Sequence, residues 1–346
     1  MTSRKAKVLK KLAKGAFLPA MPLALYEDGS FDEASQRRLI RYYMAAEADG
    51  LAVAVHTTQF EIRRPEHNLL ERVLAVAADE LTRFEEKTGQ TVVKIAGACG
   101  PAEQAVSEAK PAKSLGYDAV LLSPGGLSHR SEEYLLARTK EVASVLPVVG
   151  FYLQTAVGGR RFSYDYWQKL CDIDNVFAIK CASFDRYSTT EVVRAAAFSP
   201  RADKIALYTG NDDHILLDLL TTYHFGDRTK GFVGGLLGHW AVWVKPAVEL
   251  FRKAKQGLPT AELLTLAAQV TDMNAALFDV ANDFVGCIAG VNEVLYRQGL
   301  LSSPRCLNPA EVLSKGQAEE IDRVCALYPH LTDDGFVAQF LQEGLN

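Results

Sequence analysis

The sequence has no long apolar run and no excess of basic residues. Its 346 residues carry a net charge of −4, so the composition indicates no surface for nucleic acid. The start, Met1 to Lys14, is rich in lysine but lacks the continuous apolar stretch of a secretory signal, and no later stretch is apolar enough to cross a membrane. We therefore expect a cytoplasmic protein with no nucleic-acid or membrane partner. Residues 1–14 are expected to form a basic, solvated helical extension, with an organelle-targeting peptide as the alternative.

Cysteine is sparse and shows no pattern. The six cysteines include no C-x-x-C pair, and none stands at a metal-ligand interval from a histidine. We expect reduced thiols, as in a cytosolic protein, and neither a metal nor a cofactor. The chain also lacks a G-x-G-x-x-G turn after an early strand, which argues against an open dinucleotide-binding sheet.

What the sequence does contain is a regular alternation of short apolar runs and amphipathic segments. Because strands that alternate with helices pair in parallel through right-handed crossovers, eight such units suit closure into a barrel. We predict an α/β fold, a (β/α)8 TIM barrel over residues 15–257, followed by a C-terminal helical subdomain over 258–346 that begins with one continuous helix, 261–300. The predicted strands are 16–25, 51–55, 91–96, 118–123, 147–152, 176–181, 204–209 and 231–235.

The sixth predicted strand carries a lysine near its end. Side chains alternate along a strand, so Lys180 shares a face with Val176 and Ala178. Either the strand has reached the surface there and the lysine extends into water, or the small residues that follow form the floor of a pocket. In a site with little water the neutral amine is favoured, and it can attack a carbonyl to form a Schiff base.

Chemistry in a barrel of this kind takes place at the C-terminal ends of the strands. Tyr152 ends the strand before that of Lys180, so it either relays protons beside the amine or merely donates to a backbone carbonyl. Thr57 and Thr58 either shape their turn or hold a carboxylate through hydroxyl and N–H groups.

Other polar residues at the strand ends have simpler explanations. Asn211 or Asp212 is expected to cap the following helix. The histidines have no recognisable partner and are expected to be structural: His56, His129, His214 and His239.

Together these residues resemble the dihydrodipicolinate synthase and N-acetylneuraminate lyase family of class I aldolases. The family's G-T-T-G-E motif corresponds to residues 56–60, its fifth-strand tyrosine to Tyr152, and its G-D-D turn to residues 210–212. Its Schiff-base lysine, in a G-I-K-x-x-S context, corresponds to Lys180 within residues 178–183. The resemblance spans residues 15 to 327. It implies a barrel followed by C-terminal helices, and assembly as a homodimer or homotetramer.

The resemblance also implies a mechanism without a cofactor. Lys180 would attack the keto group of pyruvate or a related 2-oxo acid, and Thr57 and Thr58 would hold the carboxylate. Tyr152 and the Thr57 hydroxyl would move protons while an aldehyde is added or released. Three further residues are expected to contact the substrate: Gly234, Val233 and Arg160.

The sequence departs from the synthase pattern at several positions. No tyrosine follows the fourth strand in residues 123–127, Val157 stands where the synthase has an arginine, and His56 and Gln59 replace two glycines. We therefore expect an aldolase for a different 2-oxo acid or a dehydratase of a sugar-derived 2-keto acid, with 4-hydroxy-tetrahydrodipicolinate synthase itself as an alternative. Two other classes remain open: a non-catalytic barrel, or a barrel that grips phosphate through Gly210, Gly234 and Gly235.

Overall fold

The computed structural model describes residues 3–257 and 260–343. The predicted boundary between barrel and subdomain lies between residues 257 and 258. The first two residues of the predicted subdomain, 258–259, fall outside the described residues, as do its last three, 344–346, and residues 1–2 of the predicted extension. Within the described ranges, no helix is both long enough and apolar enough to span a bilayer.

Eight parallel strands form a nearly closed barrel. Each pairs with its neighbour in parallel, and the first meets the second through a single bridge between Ala20 and Ala52. The predicted (β/α)8 barrel is therefore confirmed. The strands, with one short extra strand numbered β8, are β1 (Phe17–Pro19), β2 (Gly50–Val53), β3 (Val93–Ala98), β4 (Ala119–Leu122), β5 (Val148–Leu153), β6 (Val176–Ala182), β7 (Ala206–Thr209), β8 (Thr222–Phe225) and β9 (Arg228–Leu237).

Helices surround the barrel, and four more α-helices follow it in the C-terminal part of the described chain. Side-chain caps set where several of them begin; Asp32, for example, accepts a hydrogen bond from the Ser35 N–H at 2.9 Å. The helices are α1 (Arg4–Lys14), α2 (Glu33–Ala45), α3 (Leu70–Thr88), α4 (Ala102–Ser114), α5 (Glu132–Val145), α6 (Tyr164–Asp172), α7 (Arg186–Phe198), α8 (Ile215–Leu220), α9 (Val244–Lys255), α10 (Ala261–Leu277), α11 (Cys287–Arg297), α12 (Gln317–Leu327) and α13 (Asp334–Glu343).

Alternation along the strands separates two apolar layers. On β6, Ala178 belongs to the cluster inside the barrel, whereas Ile179 and Cys181 belong to the layer between strands and helices. Lys180 therefore faces inward with Ala178, as predicted. Val176 lies in the outer layer instead, because the pairing between β5 and β6 shifts by one residue just after it.

Helix α1 closes the N-terminal end of the barrel. Val8 and Leu12, one helical turn apart, are each 2% exposed and pack against the inner cluster. The Tyr208 hydroxyl donates to the Leu12 carbonyl at 2.7 Å. The extension is helical as predicted, but the expectation that it is solvated was wrong, since this apolar stripe faces the barrel while its lysines face water.

Three predicted elements differ from the observed ones, each for a local reason. The first strand ends at Pro19 rather than residue 25, because proline removes ladder donors at Pro19 and Pro22. The strand β8 was missed; it forms an antiparallel hairpin with β9. The predicted helix 261–300 is two helices, because Asp279 and Phe284 adopt left-handed φ angles of 57° and 65°.

Candidate active site

A cavity opens at the C-terminal ends of the strands, where the barrel fold predicts the site. Side chains from the barrel interior line it together with residues from the loop between α10 and α11. The residues most relevant to chemistry are Thr57, Phe151, Lys180, Gly210, Asp212 and Gly238.

Lys180 lies within this cavity near the end of β6. Its side chain is 9% exposed, and its Nζ lies 4.5 Å from the centre of the Phe151 ring on the adjacent strand. Burial lowers the pKa of Lys180, and the carboxylate of Asp212 opposes that shift. In the described parts of the chain Nζ has no hydrogen-bond acceptor, so the amine is available to a ligand.

Asp212, in the loop after β7, is the acidic partner of this lysine. Its Oδ1 accepts from the backbone N–H of His239 at 2.9 Å, and its backbone carbonyl accepts from Asn274 Nδ2 at 2.7 Å. Burial raises the pKa of Asp212, while the His239 N–H and the charge of Lys180 act against this rise. A buried acid and base whose pKa values are moved towards each other are typical of proton-transfer sites.

The prediction that Asn211 or Asp212 caps α8 was wrong. The residue at the N-cap position is His214, and its side chain makes no capping hydrogen bond. Asn211 Nδ2 instead donates to Asp218 at 2.9 Å, and Asp212 lines the cavity.

Gly210 leaves the space that Lys180 occupies. A Cβ at this position would lie 2.4 Å from Cε of Lys180 and 2.9 Å from Cβ of Ala182. The absence of a side chain at Gly210 therefore accommodates Lys180.

The two threonines lie in a short 3-10 turn after β2. The Thr57 hydroxyl donates to the Ala20 carbonyl at 2.9 Å, and the Thr58 hydroxyl donates to the Met21 carbonyl at 2.6 Å. Thr57 lines the cavity and Thr58 lies buried behind it. Both hydroxyl protons thus tie the turn to the segment after β1, which leaves backbone N–H groups as the donors available to a carboxylate.

Tyr152 does not lie beside Lys180, contrary to prediction. Its ring packs against Trp167 of α6, with ring centres 5.1 Å apart, in the layer outside the barrel. The cause is the bulge between β5 and β6: Val148 pairs with Val176, but Val149 pairs with Ala178. This shift by one residue pairs Phe151 with Lys180, in the place that Tyr152 would otherwise occupy.

The three predicted substrate contacts also lie away from the cavity. A Cβ at Gly234 would lie 2.5 Å from the Ala16 carbonyl oxygen, so this glycine allows close packing of β1. The Val233 carbonyl accepts from Lys255 Nζ at 2.9 Å. Gly234 and Val233 lie away from the cavity because β9 runs on to Leu237; at the end of this strand the glycine that lines the cavity is Gly238.

Arg160, the third of these, lies in the loop after β5 and reaches the surface. Its guanidinium donates to the Arg130 carbonyl and lies over the Phe162 ring at 5.3 Å. These contacts tie Arg160 to a neighbouring loop, and it is not among the described residues that line the cavity.

Two groups of cavity residues were not recognised as functional from the sequence. His56, expected to be structural, lines the cavity; burial lowers its pKa to about 4, and nearby Lys180 adds to this effect. Three rings also line the cavity, those of Phe184, Phe278 and Phe284. No group of three or more His, Cys, Asp or Glu suited to a metal ion occurs in residues 3–257 and 260–343.

Known proteins match the chain in both sequence and fold. It is 26% identical to N-acetylneuraminate lyase 2 of Escherichia coli O6:H1 over 298 residues, 84% of this chain and 87% of the lyase. It is 28% identical to the probable 5-dehydro-4-deoxyglucarate dehydratase of Acinetobacter baumannii over 159 residues, 45% of this chain and 48% of that protein.

The fold resembles that of dihydrodipicolinate synthase from Acinetobacter baumannii, solved in complex with pyruvate. The TM-score is 0.74 at 21% identity, covering 90% of this chain and 98% of the synthase. The match to the family itself runs over residues 14–326. The predicted resemblance is thus confirmed, and the chain belongs to the dihydrodipicolinate synthetase family.

Proposed function

We propose that Lys180 is the Schiff-base nucleophile of a 2-oxo acid aldolase. The family comprises lyases and synthases, and this chain is an enzyme of that general kind. The observation that carries the proposal is the buried amine of Lys180, which lines the cavity at the end of β6 and whose pKa burial lowers. A lowered pKa increases the fraction of neutral amine, the form that attacks a ketone.

The reaction begins when Nζ of Lys180 attacks C2 of the 2-oxo acid. Loss of water gives a protonated imine, which withdraws electrons from C3. Removal of a C3 proton then yields an enamine. The enamine carbon attacks an aldehyde carbon, the aldehyde oxygen takes up a proton, and water hydrolyses the imine to release a 4-hydroxy-2-oxo acid. Run in reverse, the same steps cleave the carbon–carbon bond.

Asp212 is the group we assign to proton transfer. The phenol that the family pattern supplies at Tyr152 is directed into the outer layer, whereas Asp212 lines the cavity and interacts electrostatically with Lys180. Burial raises the pKa of Asp212, so it can both accept and donate a proton near neutral pH.

The substrate carboxylate would be held at the turn after β2. The backbone N–H groups of His56 and Thr57 donate to no acceptor in the described residues, and both residues line the cavity. Free N–H groups at the start of a turn suit a carboxylate. Thr57 and Thr58 support this role by fixing the turn to the segment after β1.

Dehydration by the same imine chemistry is the second candidate. It is favoured by the likeness to the probable 5-dehydro-4-deoxyglucarate dehydratase. The two activities differ in what leaves the substrate: water in a dehydratase, an aldehyde in an aldolase. Assembly as a homodimer or homotetramer stays a prediction of the family resemblance.

The proposal is tested by trapping the imine with borohydride. The protein is incubated with pyruvate and a panel of other 2-oxo acids, reduced, and analysed by intact mass and peptide mapping. We expect one adduct, on Lys180, with its yield ranking the acids. A folded protein that stays unmodified with every acid would contradict the proposal.

Lys94 provides an internal control. It is another buried lysine on a barrel strand, but its Nζ donates to Thr82 at 2.7 Å and pairs with Glu85 at 3.1 Å. Because its ammonium group is held by these partners, Lys94 should stay unmodified. The variant Lys180→Met should lose the adduct altogether.

A further inference from the structure

We propose that the aldehyde handled at this site is uncharged and apolar, with an aromatic ring or a branched alkyl group on its carbonyl carbon. This inference rests on the function proposed above and names its second substrate. Equivalently, the cleaved substrate would be a 4-hydroxy-2-oxo acid with an apolar substituent on C4.

The first support is the charge of the cavity. Among the described residues that line it, Asp212 is the sole carboxyl side chain, and Lys180 is the sole cationic side chain because burial lowers the pKa of His56 to about 4. Lys180 forms the imine with the 2-oxo acid, whose carboxylate already occupies the available N–H donors. A second carboxylate or a phosphate on the partner would therefore be buried without a cation, which is strongly unfavourable.

The second support is an aromatic wall, defined here as Phe184, Phe278 and Phe284. Phe184 and Phe284 meet edge to face with ring centres 5.8 Å apart. Phe278 closes the side towards Gly238, where a Cβ would lie 3.1 Å from its ring. Edge-to-face packing of this kind leaves ring faces that suit a further ring or alkyl group.

The backbone at two positions of the aromatic wall is unusual. Phe184 and Phe284 have φ angles of 54° and 65°, in the left-handed region that bulky residues rarely adopt. Such strain persists only where the surrounding structure enforces it, and it concentrates at functional sites. Here two separate loops accept it, and both direct their rings into the same cavity.

Hydrogen bonds hold both strained loops in place. The N–H of Phe184 donates to Asn211 Oδ1 at 3.0 Å. Asp279 fixes the other loop by accepting from the Gly286 N–H at 2.9 Å and from Asn282 Nδ2 at 2.7 Å. The aromatic wall is therefore held by hydrogen bonds within the protein itself.

A sugar-derived chain does not suit this surface. Its successive hydroxyl groups each need a partner when water is excluded, and the wall supplies only ring carbons. Leu153 and Val157 continue the apolar surface beside it. Of the other polar side chains that line the cavity, Thr57 donates its hydroxyl proton to the Ala20 carbonyl. Gln154 has no charge, and His56 is neutral because burial lowers its pKa to about 4; these two suit a single polar substituent.

The inference is tested by aldehyde selectivity with the pyruvate-loaded enzyme. The probes are benzaldehyde, 2-methylpropanal, glyceraldehyde and succinic semialdehyde, and product is measured by mass spectrometry. We expect kcat/KM for the first two to exceed that for the last two by at least about tenfold, the scale on which apolar pockets discriminate. Imine formation with pyruvate alone is measured in parallel by borohydride trapping.

The variants Phe184→Asn and Phe284→Asn test the aromatic wall itself. Asparagine tolerates left-handed φ angles, so the loops keep their conformation while the rings are removed. We expect the ratio of benzaldehyde to glyceraldehyde activity to fall at least about tenfold. The control is Val285→Asn, on the same loop but 61% exposed, which should leave the ratio unchanged. A purely structural role for the rings would lower both activities equally.

The outcomes separate the two proposals. A trapped imine with preference for benzaldehyde supports both. A trapped imine with preference for glyceraldehyde or succinic semialdehyde, or with no aldehyde accepted, overturns the apolar aldehyde and leaves the Lys180 chemistry standing. No trapped imine with any 2-oxo acid overturns the proposed function and this inference with it.

Discussion

Phe151 pairs with Lys180 across β5 and β6, and the lysine Nζ lies 4.5 Å from the centre of its ring. An aromatic face next to the amine supplies no proton donor or acceptor, so in the proposed mechanism another residue of the cavity transfers the protons. Asp212, after β7, lines the cavity and interacts with the lysine, and burial raises its pKa, so we assign the proton transfer to it rather than to His56, whose pKa burial lowers to about 4.

Removing the ionisable group of Asp212 should therefore slow proton exchange of bound pyruvate much more than removing that of Tyr152. Asp212→Asn should slow exchange of the methyl protons of pyruvate with solvent deuterium by ~10²–10⁴, the contribution of a positioned acid or base. Tyr152→Phe should slow the exchange by less than about tenfold, because the phenol lies outside the cavity and cannot act there as an acid or base. Proton NMR follows the exchange without any aldehyde. Equal losses in both variants would contradict the assignment.

Adding a methyl group at Gly210 should displace the lysine. In Gly210→Ala the new Cβ would lie 2.4 Å from Cε of Lys180, so the flexible side chain must move. Because misplacing a reacting group by about 1 Å costs ~10²-fold in rate, we expect imine trapping to slow by that order. The control is Gly335→Ala, where nothing lies within 4 Å of the added Cβ. Unchanged trapping in Gly210→Ala would show that the lysine is not held as described.

The pH dependence of imine formation should report the buried amine. Attack requires the neutral form, so the rate rises with pH and levels off once Lys180 is deprotonated. Since burial lowers the pKa of Lys180, the midpoint should lie below the ~10.4 of a free lysine. In Asp212→Asn the carboxylate that raises this pKa is lost, so the midpoint should move to lower pH. The measurement is the trapping rate with cyanoborohydride across a pH series; a midpoint at the ordinary value, or an upward shift in the variant, contradicts the account.

Helix α1 should contribute to the stability of the barrel. Leu12 is 2% exposed and packs against the inner cluster, so Leu12→Ala should lower the free energy of unfolding by about 2–5 kcal/mol. Leu9, on the same helix but 39% exposed, is the matched control; Leu9→Ala should change it by no more than about 0.5 kcal/mol. Urea unfolding gives both values. If both variants changed the free energy of unfolding by a similarly small amount, helix α1 would not pack against the barrel in solution.

The sequence predicted those features that depend on periodicity. Alternating strand and helix patterns gave the barrel, and the inward face of β6 placed Lys180 in the cavity. Such patterns average over many residues, so an error at one boundary does not change the fold that they indicate.

The misplaced residues depend on single-residue details of pairing. One bulge opposite Val148 and Val149 decides whether Tyr152 or Phe151 faces Lys180, because a shift of one residue reverses the face of a strand. Likewise, β9 ends at Leu237 rather than at the predicted residue 235, so Gly238 lines the cavity and Gly234 does not. Neither the bulge nor the end of β9 changes the apolar pattern of a single strand, so neither could be predicted from that pattern.

Residues brought in from the C-terminal helices could not be placed from the sequence either. The segment predicted as one continuous helix contributes three residues to the cavity: Phe278, Phe284 and Cys287. These residues are far in sequence from the strand ends that form the rest of the cavity. Only tertiary contacts set this position. Asp212 follows a strand end, and that position was the available signal, but a helix cap was the simpler explanation.

The most direct measurement is a crystal structure of the protein soaked with pyruvate. We expect continuous electron density between Nζ of Lys180 and C2 of the ligand, with Asp212 within hydrogen-bond distance of the adduct and Tyr152 still packed against Trp167. Pyruvate bound elsewhere, or bound at the cavity while Lys180 stays unmodified and points away from it, would contradict the account.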